Sequence, residues 1–206
     1  MSIVKLNNKA VSNATAIGSI SSLGSMVFIK KLTASGSATL SFVDGTDGVV
    51  LDDTYKEYMF TFNNMHPATD TVEFQFNLST DGGSNYNATK TTTFFNAYHS
   101  EGGASPTLTY DSSRDLAQST NAQPLTWNTG NDNDQSCVGT LQLFNPSSTT
   151  FVKHFISRFS NYTQNDFAHD VYIAGYANTT SAVDAIRFQM SSGNIDAGDI
   201  CLYGIA

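Results

Sequence analysis

Charge is scarce in this chain. Only 14% of its 206 residues are Asp, Glu, Lys or Arg, against the roughly 25% usual in globular proteins. Basic residues are the rarer sign: 10 Lys and Arg stand against 18 Asp and Glu, a formal charge of -8. A surface of that sign repels phosphate, so nucleic acid is not an expected partner. Glutamate is limited to Glu57, Glu73 and Glu101. A glycosidase needs two carboxylates facing across a cleft, and Glu57 and Glu73 fall on the polar faces of strands, where solvent is the expected neighbour. No apolar run reaches the about 18 residues of a membrane-spanning helix. Ala10–Ser25 is broken by Ser, Asn and Gly, which argues against a secretory signal. Cys137 and Cys201 belong to no motif and are read as two free thiols, with a single disulfide as the alternative.

Motifs of catalysis and metal binding are also missing. His66, His99, His154 and His169 share no metal-ligand spacing, and neither Cys lies close to one. His154, in register with Val152 and Ile156, is expected to be packed or hydrogen-bonded. There is no G-x-S-x-G elbow, phosphate-binding glycine loop or dinucleotide fingerprint. An enzyme is not expected, nor a cofactor.

What the chain does have is aromatic residues in alternation. Tyr58, Phe60 and Phe62, then Phe74, Phe76 and Leu78, recur at period two with polar residues between them. That period places the rings on one face of a strand. Asn63–Asp70, with Pro67, reads as a turn that returns the two strands as an antiparallel pair. Further strands are expected around Val27–Ile29, Leu40–Phe42, Thr91–Tyr98, Val138–Phe144, Val171–Ala177, Val183–Met190 and Asp199–Ile205, and Asp44–Gly48 reads as an Asp-Gly turn. Phe151–Phe159 fits both a helical stripe and a strand face. Its β-branched and aromatic content favours the strand. His99–Ser136 reads as a long polar region that is functional or hides short elements, with Ser112–Gln118 a candidate helical turn. Nine or ten strands without a βαβ rhythm predict an all-β fold, an antiparallel β-sandwich of jelly-roll-like winding over residues 25–206. Residues 1–24, poor in charge and aromatics, read as an extended N-terminal arm or, equally, a loose edge strand.

Two kinds of site are candidates. Tyr86, Tyr98, Tyr110, Trp127 and Tyr162 lie in or beside loops, where aromatic rings either cover the sandwich ends or, with Asn and Asp nearby, stack on sugar rings. Of these, Tyr86, Tyr98, Tyr110 and Trp127 are the glycan-contact candidates. The Asn131–Asp134 turn offers oxygen ligands to calcium through Asp132 and Asp134, without the spacing of an EF-hand.

Several stretches resemble a family of small β-rich structural proteins of marine bacteriophages, of the pelagiphage and cyanophage type. They are Tyr55-Lys56-Glu57-Tyr58 through His66-Pro67, Ser79-Thr80-Asp81-Gly82-Gly83-Ser84-Asn85-Tyr86, Ala174-Gly175-Tyr176 with Asn178-Thr179-Thr180-Ser181, and Ser192-Gly193-Asn194-Ile195-Asp196-Ala197-Gly198 to Leu202-Tyr203-Gly204-Ile205. The resemblance implies a protein of the virion exterior, made in the host bacterial cytoplasm. The implied role is capsid decoration (cement), with a tail-fibre or head-fibre module contacting host surface glycan as the alternative. It carries no catalytic motif to transfer. The implied partners are the major capsid protein and further copies of the chain, as a homotrimer. No nucleic acid contact and no membrane insertion are expected. A chain that opens on its own Met without heptads or shaft repeats is expected to be a decoration module. The arm is then the attachment element, through Met1, Ile3, Val4, Leu6, Val11 and Ile17.

Overall fold

Alternation decides the architecture. A computed structural model describes residues 25–104 and 106–206, and the arm with its candidate attachment residues lies outside them. The described chain is all β, with twelve strands and no helix. They are β1 (Met26–Ser37), β2 (Leu40–Val43), β3 (Glu57–Pro67), β4 (Phe74–Ser79), β5 (Lys90–Ser100), β6 (Thr107–Tyr110), β7 (Gln123–Pro124), β8 (Cys137–Phe144), β9 (Lys153–Tyr162), β10 (Phe167–Ala177), β11 (Ala185–Met190) and β12 (Ile195–Ile205). Two antiparallel sheets pack as a sandwich. The larger has the order β1-β12-β3-β8-β9-β10-β5-β6, the smaller β2-β11-β4-β7.

The central aromatic strands do not form the expected hairpin. β3 pairs with β12 and β8 in the large sheet, while β4 pairs with β11 and β7 in the small one. Asn63–Asp70 therefore does not turn one strand back beside the other, and the chain arches from one sheet to the other. The physical reason is that both strands carry a row of rings. Side by side, the rows would form one wide apolar face. Across the sandwich they cover each other, with Phe62 and Phe74 at 5.6 Å between centroids. Phe188 of β11 sits among them, 5.5 Å from Phe60, 5.0 Å from Phe62 and 5.9 Å from Phe74. Each ring so buried contributes about 1.5–3 kcal/mol.

β9 settles the ambiguous run. Phe155, Ser157 and Phe159 are buried while Ile156 and Arg158 are exposed, a strand pattern. A helical stripe would have covered Ile156 with Phe155. His154 lies on the same outward face and is exposed, so it is not packed as expected; its nearest ring is that of Tyr176. Both cysteines are free: Cys137 is buried, and Cys201 is half-buried on β12.

The outer face of the large sheet carries a cross-strand row that runs its full width. In register it reads Tyr110, Phe95, Tyr172, Arg158, Thr140, Thr61, Cys201, Lys31. Phe95 and Tyr172 stack at 5.0 Å, the Arg158 guanidinium lies 4.9 Å above Tyr172, and Arg158 also binds Asp170 through two hydrogen bonds of 2.9 and 2.7 Å. Around this row Leu108, Ile156, Val138 and Phe28 stand exposed.

Candidate functional site

The long polar region is pinned to the sandwich rather than free. It contains β6 and β7, and Ser112–Arg114 is a turn rather than a helix. Backbone bonds tie Thr92 to Leu116 and Lys90 to Ser119. Side chains do the rest: Thr92 Oγ1 donates to Gln123 Oε1 at 2.6 Å, and the Phe74 N–H donates to Thr126 Oγ1 at 2.9 Å. The segment thereby links β4 of one sheet to β5 of the other, and its own β7 pairs with β4 as the edge strand.

Where this segment crosses β5 and β10, a line of rings forms. Tyr98 and His169 are directly opposed across the β5–β10 ladder. His169 lies parallel to Tyr98 and to Trp127, each at 4.9 Å. The Arg114 guanidinium covers Trp127 at 5.0 Å, donates to Asp111 at 2.7 Å and reaches Glu73 at 3.0 Å. Glu73, expected on a solvated face, is thus half-buried in an ion pair. Burial opposes the charge on Asp111, but Ser113 and Arg114 outweigh it and hold the carboxyl below its ordinary range. Burial, helped by the nearby Arg114 charge, pushes His169 down to about 4. Its ring is therefore neutral at pH 7.

Beside these rings lies a cavity of about 340 Å³, lined by Asn96, Tyr98, Thr109, Asp111, Trp127, Asn165, Phe167 and His169. Asn96 and His169 are 2% and 3% exposed. Among the described residues Asn96 Oδ1 and His169 Nδ1 have no hydrogen-bond partner.

Of the glycan-contact candidates, the fold brings Tyr98 and Trp127 together and separates the other two. Tyr86 lies half-buried under the Arg187 guanidinium at 4.4 Å. Tyr110 is on the outer face and donates to Asp115 at 2.5 Å. Tyr162 donates to Asp166 at 3.1 Å. Trp127 is covered by His169 and Arg114, so its ring is not an open platform for a sugar. Asp132 and Asp134 are exposed in the loop before β8, and among the described residues no three His, Cys, Asp or Glu side chains converge. The Asp132 carbonyl is bonded instead to His66. Glu57 accepts a bond from Gln142 at 2.9 Å.

Sequence reasoning singled out neither His169 nor Asn96, Asp111 and Arg114. The signal for His169 was available: Phe167, His169, Val171 and Ile173 alternate, which puts the imidazole on the core-facing side. No known protein family, curated protein or solved structure matches this chain.

Proposed function

We propose that this protein is a structural module of a bacteriophage particle exterior, most simply a capsid decoration protein that cements the head lattice. The supporting observation is the outer face of the eight-stranded sheet. It is broad, carries the Tyr110–Phe95–Tyr172–Arg158 row and leaves Leu108, Ile156, Val138 and Phe28 exposed. Apolar surface displayed across one sheet suits burial against a neighbour, here the major capsid protein or further copies in a trimer. The family resemblance of the terminal stretch supplies the phage context, and residues 1–24 supply the attachment arm.

Co-sedimentation with purified heads of the encoding phage tests this. The full chain is expected to saturate the heads. Ile156→Glu with Leu108→Glu is expected to weaken attachment at least tenfold while leaving the thermal midpoint within a few degrees, since both residues are exposed. A chain lacking residues 1–24 is expected to fold and fail to attach. Undiminished saturation by both variants contradicts the reading.

A second reading, a tail-fibre or head-fibre module that contacts host glycan, is favoured by the cavity beside Tyr98 and Trp127. A glycan array separates the two: binding there supports a fibre module, and silence supports decoration.

A further inference from the structure

The cavity beside His169 has the properties of a binding site, and we propose that it holds one neutral sugar ring, a single pyranose residue bound edge-on. Buried polar groups are almost always hydrogen-bonded, and an orphan costs free energy until water or a ligand satisfies it. Asn96 Oδ1 and His169 Nδ1 are two such atoms, carried by residues that line one cavity. Their strands are neighbours in the sheet, and both residues are more than nine-tenths buried.

Charge then narrows the ligand. Asp111, the only carboxylate among the described residues on the wall, already has its oxygens taken by Arg114, the Ser113 hydroxyl and the Ser113 N–H. Among the described residues no Lys or Arg lines the cavity. An anion would meet no cation, and a cation would meet a carboxylate already neutralised. A neutral ligand fits.

Hydrogen-bond chemistry narrows it again. A carboxamide and a neutral imidazole present both donors and acceptors, and which atom faces the cavity depends on amide orientation and tautomer. A hydroxyl can answer either, because it donates and accepts. Thr109 and Asn165 add two more groups of the same kind on the rim. A hydrocarbon would leave Asn96 and His169 unsatisfied. Beside them on the same strands, Tyr98 and Phe167 add apolar lining, which matches the C–H surface of a pyranose. About 340 Å³ lies at the small end of ligand sites, suited to one ring and not to a chain of them. Because Trp127 is covered, the ring does not stack on it as in an open aromatic platform. Its hydroxyl edge points at Asn96 and His169.

The inference concerns binding by the isolated protein and does not depend on where the protein sits in a particle. Its biological use would be the second reading given above.

Trp127 is the only tryptophan, so its emission reports directly on this cavity. The full-length protein is titrated with glucose, galactose, mannose, fucose and N-acetylglucosamine, with sodium sulfate and trimethylamine as charged controls. At least one sugar is expected to change Trp127 emission saturably, with neither control doing so. His169→Phe keeps the stacked ring and removes the nitrogens. It is expected to weaken that sugar by about tenfold or more, as loss of a hydrogen bond with its partner left unpaired implies. Asn96→Leu is expected to do the same. Thermal midpoints and near-UV spectra of both variants establish that they are folded; if either is not, Thr109→Val on the rim takes its place with a smaller loss expected. No saturable response to any sugar overturns the proposal. So does a response that the folded variants leave unchanged, or one shared with sulfate or trimethylamine. A silent glycan array with monosaccharide binding intact removes the host-attachment reading and leaves the pocket. A positive array that His169→Phe does not alter removes the pocket and leaves attachment.

Discussion

Lys90 and Lys153 carry their ammonium groups into the sandwich, although lysine is among the residues least often fully buried. Lys90 donates to Asn77 Oδ1 at 2.5 Å and to the Ala88 carbonyl at 2.9 Å, with no carboxylate beside it. Burial alone pushes it down to about 7. Lys153 donates to the Phe151 and Thr179 carbonyls and is lowered for the same reason. The unfolded chain takes up a proton at Lys90 that the folded chain only half holds at pH 7, so the penalty is full below pH 7 and fades as pH rises toward the ordinary lysine value. Lys90→Met removes this titration along with two hydrogen bonds. Chemical denaturation is expected to give the variant a stability within about 1–2 kcal/mol of the parent at pH 7. At pH 9.5 the parent is expected to have gained roughly 3 kcal/mol relative to the variant. Comparing the two proteins at each pH cancels the contributions of Cys137 and Tyr58, whose buried groups are both raised. A gap that does not change with pH contradicts the assignment.

Among the elements, β8 and β9 rest on a close approach. A Cβ at Gly139 would lie 2.5 Å from the Arg158 carbonyl oxygen and 2.6 Å from the Phe159 ring. Both atoms belong to the paired strand, where Gly139 opposes Phe159. Gly139→Ala is therefore expected to cost about 1–3 kcal/mol, read as a lower denaturation midpoint. A midpoint equal to the parent's would mean that the ring moves freely, and the close packing of this pair would be wrong. At the same scale lies the limit of what the sequence expresses. The faces of β3, β4 and β9 were legible, because period-two alternation reports which side of a strand is buried. Partners were not. The run from Tyr58 to Leu78 looks the same whether its strands lie side by side or face each other, and covering two rows of rings chose the arch. The site was half legible for the same reason. Tyr98 and Trp127 stood out as loop aromatics, but their meeting at His169 depends on the pairing of β5 with β10, which local pattern does not encode. Arg114 and Asp111 sat in a polar stretch whose order comes from bonds to distant residues such as Thr92 and Phe74.

The whole molecule combines a closed aromatic core with a sheet face that is open to contact. That division of labour suits a module whose stability is its own and whose function is to lie against others. Both proposed roles, on a phage head or at the tip of a fibre, would use that same sandwich. The distinction is one of stoichiometry. Quantitative mass spectrometry of purified virions, counting this protein against the major capsid protein, decides between the two roles. A decoration protein is expected in near-stoichiometric ratio with capsid subunits. A ratio corresponding to a handful of copies per particle would contradict decoration and point to a fibre, and absence from the virion would contradict the virion role altogether.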